Sequence, residues 1–166
     1  MAKDASFDIV TSTDIQEVDN AYQQTLREIS QRYDLKDSGS KVELDKGKGL
    51  ITVSAPSDFV AGQVIDVLAS KLIRRKVDPK AVKWGDSQAA SGGTVRKVGT
   101  IAQGIDADLA RKIRNDINGK KFNKVKITIE GDKLRATSPS RDMLQEVIAF
   151  LREQDYGQPL SFENYR

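Results

Sequence analysis

The chain has 166 residues and a formal net charge of +3, from 27 Lys and Arg against 24 Asp and Glu, and it contains neither Cys nor His. Disulfides, thiol nucleophiles, the usual zinc ligands and histidine acid–base catalysis are thereby excluded. No apolar run nears the roughly 20 residues that span a bilayer, and the opening residues lack a signal-peptide core, so a soluble, cytoplasmic protein is expected.

Ser6–Val10 alternates apolar Phe7 and Ile9 with polar neighbours, as a short strand does. Ser12, Thr13 and Asp14 offer N-caps for a helix with Ile15, Val18, Tyr22, Leu26, Ile29 and Tyr33 at spacings of three and four. After a turn at Asp37–Ser40, Val42 and Leu44 mark a strand, Lys46–Gly49 a hairpin loop and Leu50–Ser54 its return strand. Ala55–Asp58 starts a helix with Val64, Leu68 and Leu72 on one face, which Asp78 and Pro79 stop. Ala81–Trp84 reads as a brief strand and Gly85–Gly93 as a flexible hinge. Thr94–Gln103 reads as a long strand serving two sheets, bent at Gly99.

A helix from Asp106 to about Asn118 carries Leu109, Ile113 and Ile117, and Val125, Ile127 and Ile129 then alternate with polar residues in a half-buried strand. Gly131 and Asp132 turn the chain into a strand with Leu134 and Ala136. Ser138–Asp142 opens a last helix with Leu144, Val147 and Leu151 inward, and the tail through Leu160, Phe162 and Tyr165 closes the sheet. Leu50, Ser54 and Asp58 match Leu134, Ser138 and Asp142 at an offset of 84 residues, so the pattern occurs twice. The expected fold is α+β, with two tandem ferredoxin-like (RNP-like, βαββαβ) modules over residues 12–95 and 96–166.

Charge is uneven: residues 1–90 carry 13 basic and 14 acidic side chains, residues 91–166 carry 14 and 10. The later half is therefore the one to attract phosphate. Arg141 beside the start of the last helix, with Ser138 and Ser140, has the pattern of an anion site. Lys124, Lys126, Lys133 and Arg135 form a basic stripe on the sheet face away from Val125, Ile127 and Leu134. The glycines fit neither a P-loop nor a dinucleotide loop, and Asp106 with Asp108 is explained by helix capping. The paired strands carry no aromatic for base stacking, which disfavours sequence-specific RNA recognition.

Ser6-Phe7-Asp8-Ile9-Val10, Glu17–Ala21, Gln103-Gly104-Ile105, Ser140-Arg141-Asp142 with Leu144-Gln145, Gly157-Gln158-Pro159, and Phe162, Asn164 and Arg166 together resemble the bacterial YajQ family over nearly the whole chain. The resemblance implies a non-enzymatic, cytosolic nucleotide-binding protein of two ferredoxin-like modules, without cofactor or metal. Some members act as cyclic di-GMP receptors that contact transcription factors. It also implies a permutation in which residues 5–10 complete the second module's sheet and bring Asp8 and Ser12 near the Arg141 and Arg166 ends. The expected ligand is cyclic di-GMP, GTP or ATP, held by Arg141, Ser138, Ser140, Lys126, Arg135, Lys124, Asp8 and Arg166. The alternative is a sequence-indifferent RNA or tRNA binder using the basic face. No membrane partner is expected, and the protein is expected to be a monomer or weak dimer.

Overall fold

The computed structural model describes residues 3–166. In chain order the elements are β1 (Ala5–Val10), α1 (Ile15–Gln31), β2 (Lys41–Asp45), β3 (Leu50–Ala55), α2 (Asp58–Arg74), β4 (Val82–Trp84), β5 (Gln88–Ala89), β6 (Val95–Ile101), α3 (Ala107–Gly119), β7 (Lys126–Glu130), β8 (Lys133–Ser138), α4 (Arg141–Arg152) and β9 (Ser161–Glu163). The fold is α+β, with four α-helices and two antiparallel sheets among the described residues. No helix among them is long and apolar enough to cross a membrane.

Tertiary contacts divide the chain into two units. The first joins the segment through Ser12 to Gln103–Arg166, and the second is the contiguous stretch Thr13–Ala102. In the first unit the sheet runs β7-β8-β1-β9, with β1 antiparallel to both neighbours. Phe7 and Ile9 of β1 and Leu134 of β8 pack with Ile113 and Ile117 of α3 and with Leu144, Val147 and Leu151 of α4. Each of these large side chains is buried, which contributes about 1.5–3 kcal/mol apiece. The alternation of β1 therefore sends Asp8 to the face of the sheet away from the helices.

The second unit orders its sheet β2-β3-β6-β4, with β5 also on β6. Ile51 and Val53 of β3 meet Val18 of α1 and Val64, Leu68 and Leu72 of α2 in its core. Val95–Ile101 pairs with β3, β4 and β5, all in this one sheet, so the strand expected to serve two sheets serves one. Its glycine has another role than bending: a Cβ on Gly99 would lie 2.5 Å from Val82 Cγ1 and 3.0 Å from Trp84 Cε3. The bare backbone lets β4 lay these side chains across β6. Gly85–Gly93, read above as a hinge, carries β5 and a 3₁₀ turn at Ser91–Gly93.

The two units repeat at an offset of 83 residues and not 84. The N-cap Ser57 corresponds to Ser140, and buried Ile51, Val53, Ala61, Val64 and Leu68 correspond to buried Leu134, Ala136, Leu144, Val147 and Leu151. An offset of 84 equates half-buried Leu50 with buried Leu134 and turns every strand residue to the wrong face.

Candidate functional site

In the first unit, β8 ends on Ser138, only 1% exposed, whose Oγ accepts a hydrogen bond from the Ser140 N–H at 3.1 Å. Ser140 Oγ in turn accepts from the Met143 N–H at 3.2 Å and caps α4. Both serines thus hold the turn in shape, and Arg141 emerges as the first helical residue, exposed to solvent.

The opposite wall comes from the chain's last residues. In β9, Ser161, Phe162 and Glu163 face Val10, Ile9 and Asp8 in turn. Backbone pairing then resumes between Ser6 and Arg166, at 3.1 and 3.0 Å. One residue separates Asp8 from Ser6 but two separate Glu163 from Arg166, so β9 carries a bulge at Asn164 and Tyr165. Asn164 takes a left-handed φ of 55°, the conformation that Asn tolerates best after Gly. Its Nδ2 donates to Asp8 Oδ2 at 2.8 Å.

The extra residue resets the alternation. Asn164 reaches the open face, and Tyr165 swings to the helix side, where its ring lies 6.0 Å from that of Phe7 with the planes 30° apart. Phe162 meets the same Phe7 edge-on at 5.8 Å. Between this aromatic group and α4 is a cavity of 180 Å³ lined by Ala5, Phe7, Arg141, Gln145, Tyr165 and Arg166, among others. Neither Arg141 nor Arg166 has an ion-pair partner among the described residues. Two guanidinium groups beside an aromatic ring suit a planar, anionic ligand.

The open face of the same sheet carries a second polar group. Asp8, 1% exposed, accepts from Lys133 Nζ at 3.0 Å, Arg135 Nε at 3.1 Å and Asn164 Nδ2. Burial by itself pushes this carboxyl up, but the bonds from Asn164, Lys133 and Arg135 outweigh it and hold it at about 2. Arg135 also faces Glu130 at 3.3 Å, and its hydrogen bond to Asp8, with Glu130 beside it, keeps its guanidinium more firmly charged than usual.

Seven of the eight residues expected at the site therefore fall on two sides of one sheet, and the eighth, Lys124, lies in the turn that precedes β7. Arg141 and Arg166 line the cavity, with Ser138 and Ser140 in the turn that presents Arg141. Asp8 and Arg135 bond each other on the open face, where Lys126 shares the outward side of β7 with Thr128, and Lys124 is exposed just before β7. Tyr165 and Asn164 were missed as site residues. The signal for them is the spacing of three between Phe162 and Tyr165, where a regular strand repeats every two.

The second unit does not reproduce this arrangement. At the place of Arg141 it has Asp58, which accepts a short hydrogen bond from the Ser87 hydroxyl. At the place of Phe7 it has Lys97, opposite Val53 as Phe7 is opposite Ala136.

The profile of a family described as "Nucleotide-binding protein YajQ-like" matches residues 5–166. A nucleotide-binding protein of Desulfitobacterium hafniense is 47% identical over 166 residues, all of both chains. One of Magnetococcus marinus is 46% identical over 161 residues, 97% of this chain and 98% of its own. One of a Picosynechococcus species is 43% identical over 166 residues, again all of both chains.

Proposed function

We propose that this chain, which belongs to the YajQ-like family of nucleotide-binding proteins, is a non-enzymatic nucleotide receptor that holds its ligand's phosphate between Arg141 and Arg166. The fold we assign is a pair of ferredoxin-like modules. The strand orders β7-β8-β1-β9 and β2-β3-β6-β4 support it, because each equals the βαββαβ order once β6 takes the first strand's place at the end of its module. In this reading the module of residues 13–102 is permuted and is inserted, along the chain, between β1 and the remaining elements of the other module.

The observation that carries the functional reading is the charge at one position of the repeat. Arg141 stands beside Arg166 at a cavity, without an anionic partner among the described residues, where the second unit has Asp58. A cavity of 180 Å³ is below the roughly 300–1,000 Å³ of pockets that enclose whole ligands. It accommodates one end of a nucleotide, and the rest lies over the surface. A cyclic dinucleotide such as cyclic di-GMP satisfies this with one half in the cavity and the other presented outward to a protein partner, for which a transcription factor is the candidate. GTP and ATP are the simpler alternatives. Ser138 and Ser140 support the site from behind.

Charge reversal, Arg141→Glu, is expected to weaken cyclic di-GMP binding in calorimetry by about tenfold or more, the size of a lost charge-assisted hydrogen bond. Unchanged affinity rules the site out. A second reading, a sequence-indifferent RNA or tRNA binder, is favoured by Lys126 on the open face and by exposed Lys124 in the turn before it. Arg135 adds little to it, being already matched by Asp8 and Glu130. That reading requires log affinity to fall with log salt at a slope of about −0.7 per single-strand phosphate contacted, far steeper over a long RNA than over a dinucleotide.

A further inference from the structure

We propose that the nucleobase of the bound nucleotide stacks on Tyr165, and that Asn164 is the positioning residue that turns Tyr165 and Arg166 toward the cavity. This rests on the phosphate reading above and adds how the ligand's other end is recognised. Tyr165 is 58% exposed, and its ring is backed on one side by Phe7, itself 1% exposed and gripped edge-on by Phe162. A ring fixed from behind and open in front is a stacking platform, because little side-chain freedom remains to be lost when a base lands on it. Tyr33 is more exposed, at 92%, but what lies over its ring is the Lys36 ammonium and not a backing aromatic ring. In the second unit Lys97 replaces Phe7, so the backing ring belongs to the first unit alone.

The platform depends on the bulge. Without the extra residue, position 165 falls on the open face and its ring loses Phe7. Asn164 stabilises the bulge twice, through its left-handed backbone and through the bond to Asp8. Asp8 is anchored in turn by Lys133 and Arg135, so the polar group of the open face braces the aromatic group behind it.

Affinities for GMP and for ribose 5-phosphate, which has the sugar and phosphate but no base, test this on the full chain by calorimetry. GMP is expected to bind more tightly by roughly 5- to 150-fold, the range of one base–aromatic stack. Tyr165→Ala should collapse that ratio to about one while leaving ribose 5-phosphate affinity unchanged, and Tyr165→Phe should keep the ratio. Asn164→Gly, which preserves the left-handed backbone, should keep it too, and Asn164→Val should lose it. A ratio near one in the native protein, or one that Tyr165→Ala leaves intact, overturns the proposal. If Arg141→Glu weakens both ligands while Tyr165→Ala changes neither, the phosphate reading stands and the stacking reading falls. If the native protein binds neither ligand at millimolar concentration, both fall.

Discussion

Replacing Asp8 by Asn should destabilise the first unit at neutral pH and cost almost nothing in strong acid. The carboxylate is 1% exposed and takes hydrogen bonds from Lys133, Arg135 and Asn164 at 2.8–3.1 Å, which hold it at about 2 against an ordinary 3.8. A gap of that size corresponds to about 2.5 kcal/mol. The partners Lys133 and Arg135 are 34% and 32% exposed, so screening by water reduces the expected effect to about 1 kcal/mol. Because the folded carboxyl titrates below the unfolded one, its contribution is complete above about pH 5 and is lost as pH falls from there through about 2. Urea unfolding followed by circular dichroism at about pH 7, 4 and 1.5 reads this directly. The native protein should exceed Asp8→Asn by about 1 kcal/mol at the first pH and converge with it at the last. A gap of equal size at all three would refute the electrostatic account and leave packing as the cause.

Two further outcomes concern the second unit. Gly99→Ala places a methyl group 2.5 Å from Val82 Cγ1 and should cost about 1–3 kcal/mol through overpacking. The emission of Trp84, the only tryptophan, should shift as β4 is pushed outward, and an unchanged melting point with an unchanged spectrum contradicts the packing described. The Lys71 side chain, 10% exposed, bonds Glu28 at 2.7 Å between α2 and α1. Lys71→Met alone should cost about 1 kcal/mol, and adding Glu28→Gln should return part of it. Additive losses in that double-mutant cycle would show the pair to be uncoupled.

The helices were legible in the sequence because their signals are local. Ile113 and Ile117 recur at helical spacing, and caps such as Asp14 and Ser140 announce themselves next to the residues they serve. Pairing partners are another matter. Nothing near Asp8 in sequence says that Arg135, 127 positions away, will neutralise it. The repeat was misplaced by one residue because Leu50, Ser54 and Asp58 match their counterparts by identity, whereas buried positions obey the pleat. Of the two arginines that line the cavity, Arg141 is legible from its helix start and Arg166 from the family resemblance. Tyr165 was missed because a strand read by alternation assumes no bulge, and one left-handed Asn suffices to break that assumption.

The place of β1 in its sheet bears on how the protein is made. Thr13–Ala102 is contiguous and has all its partners as soon as it leaves the ribosome. β1 emerges earlier still, yet its neighbours β8 and β9 begin only at Lys133 and Ser161. At about 5–20 residues per second the strand waits on the order of ten seconds for its first partner. During that interval Phe7, Ile9 and Val10 are an unpaired apolar ribbon of the kind that sticks to other nascent chains. Asp8 sits in the middle of it, and the negative charge that later binds Lys133 and Arg135 serves first to keep the ribbon apart from its neighbours.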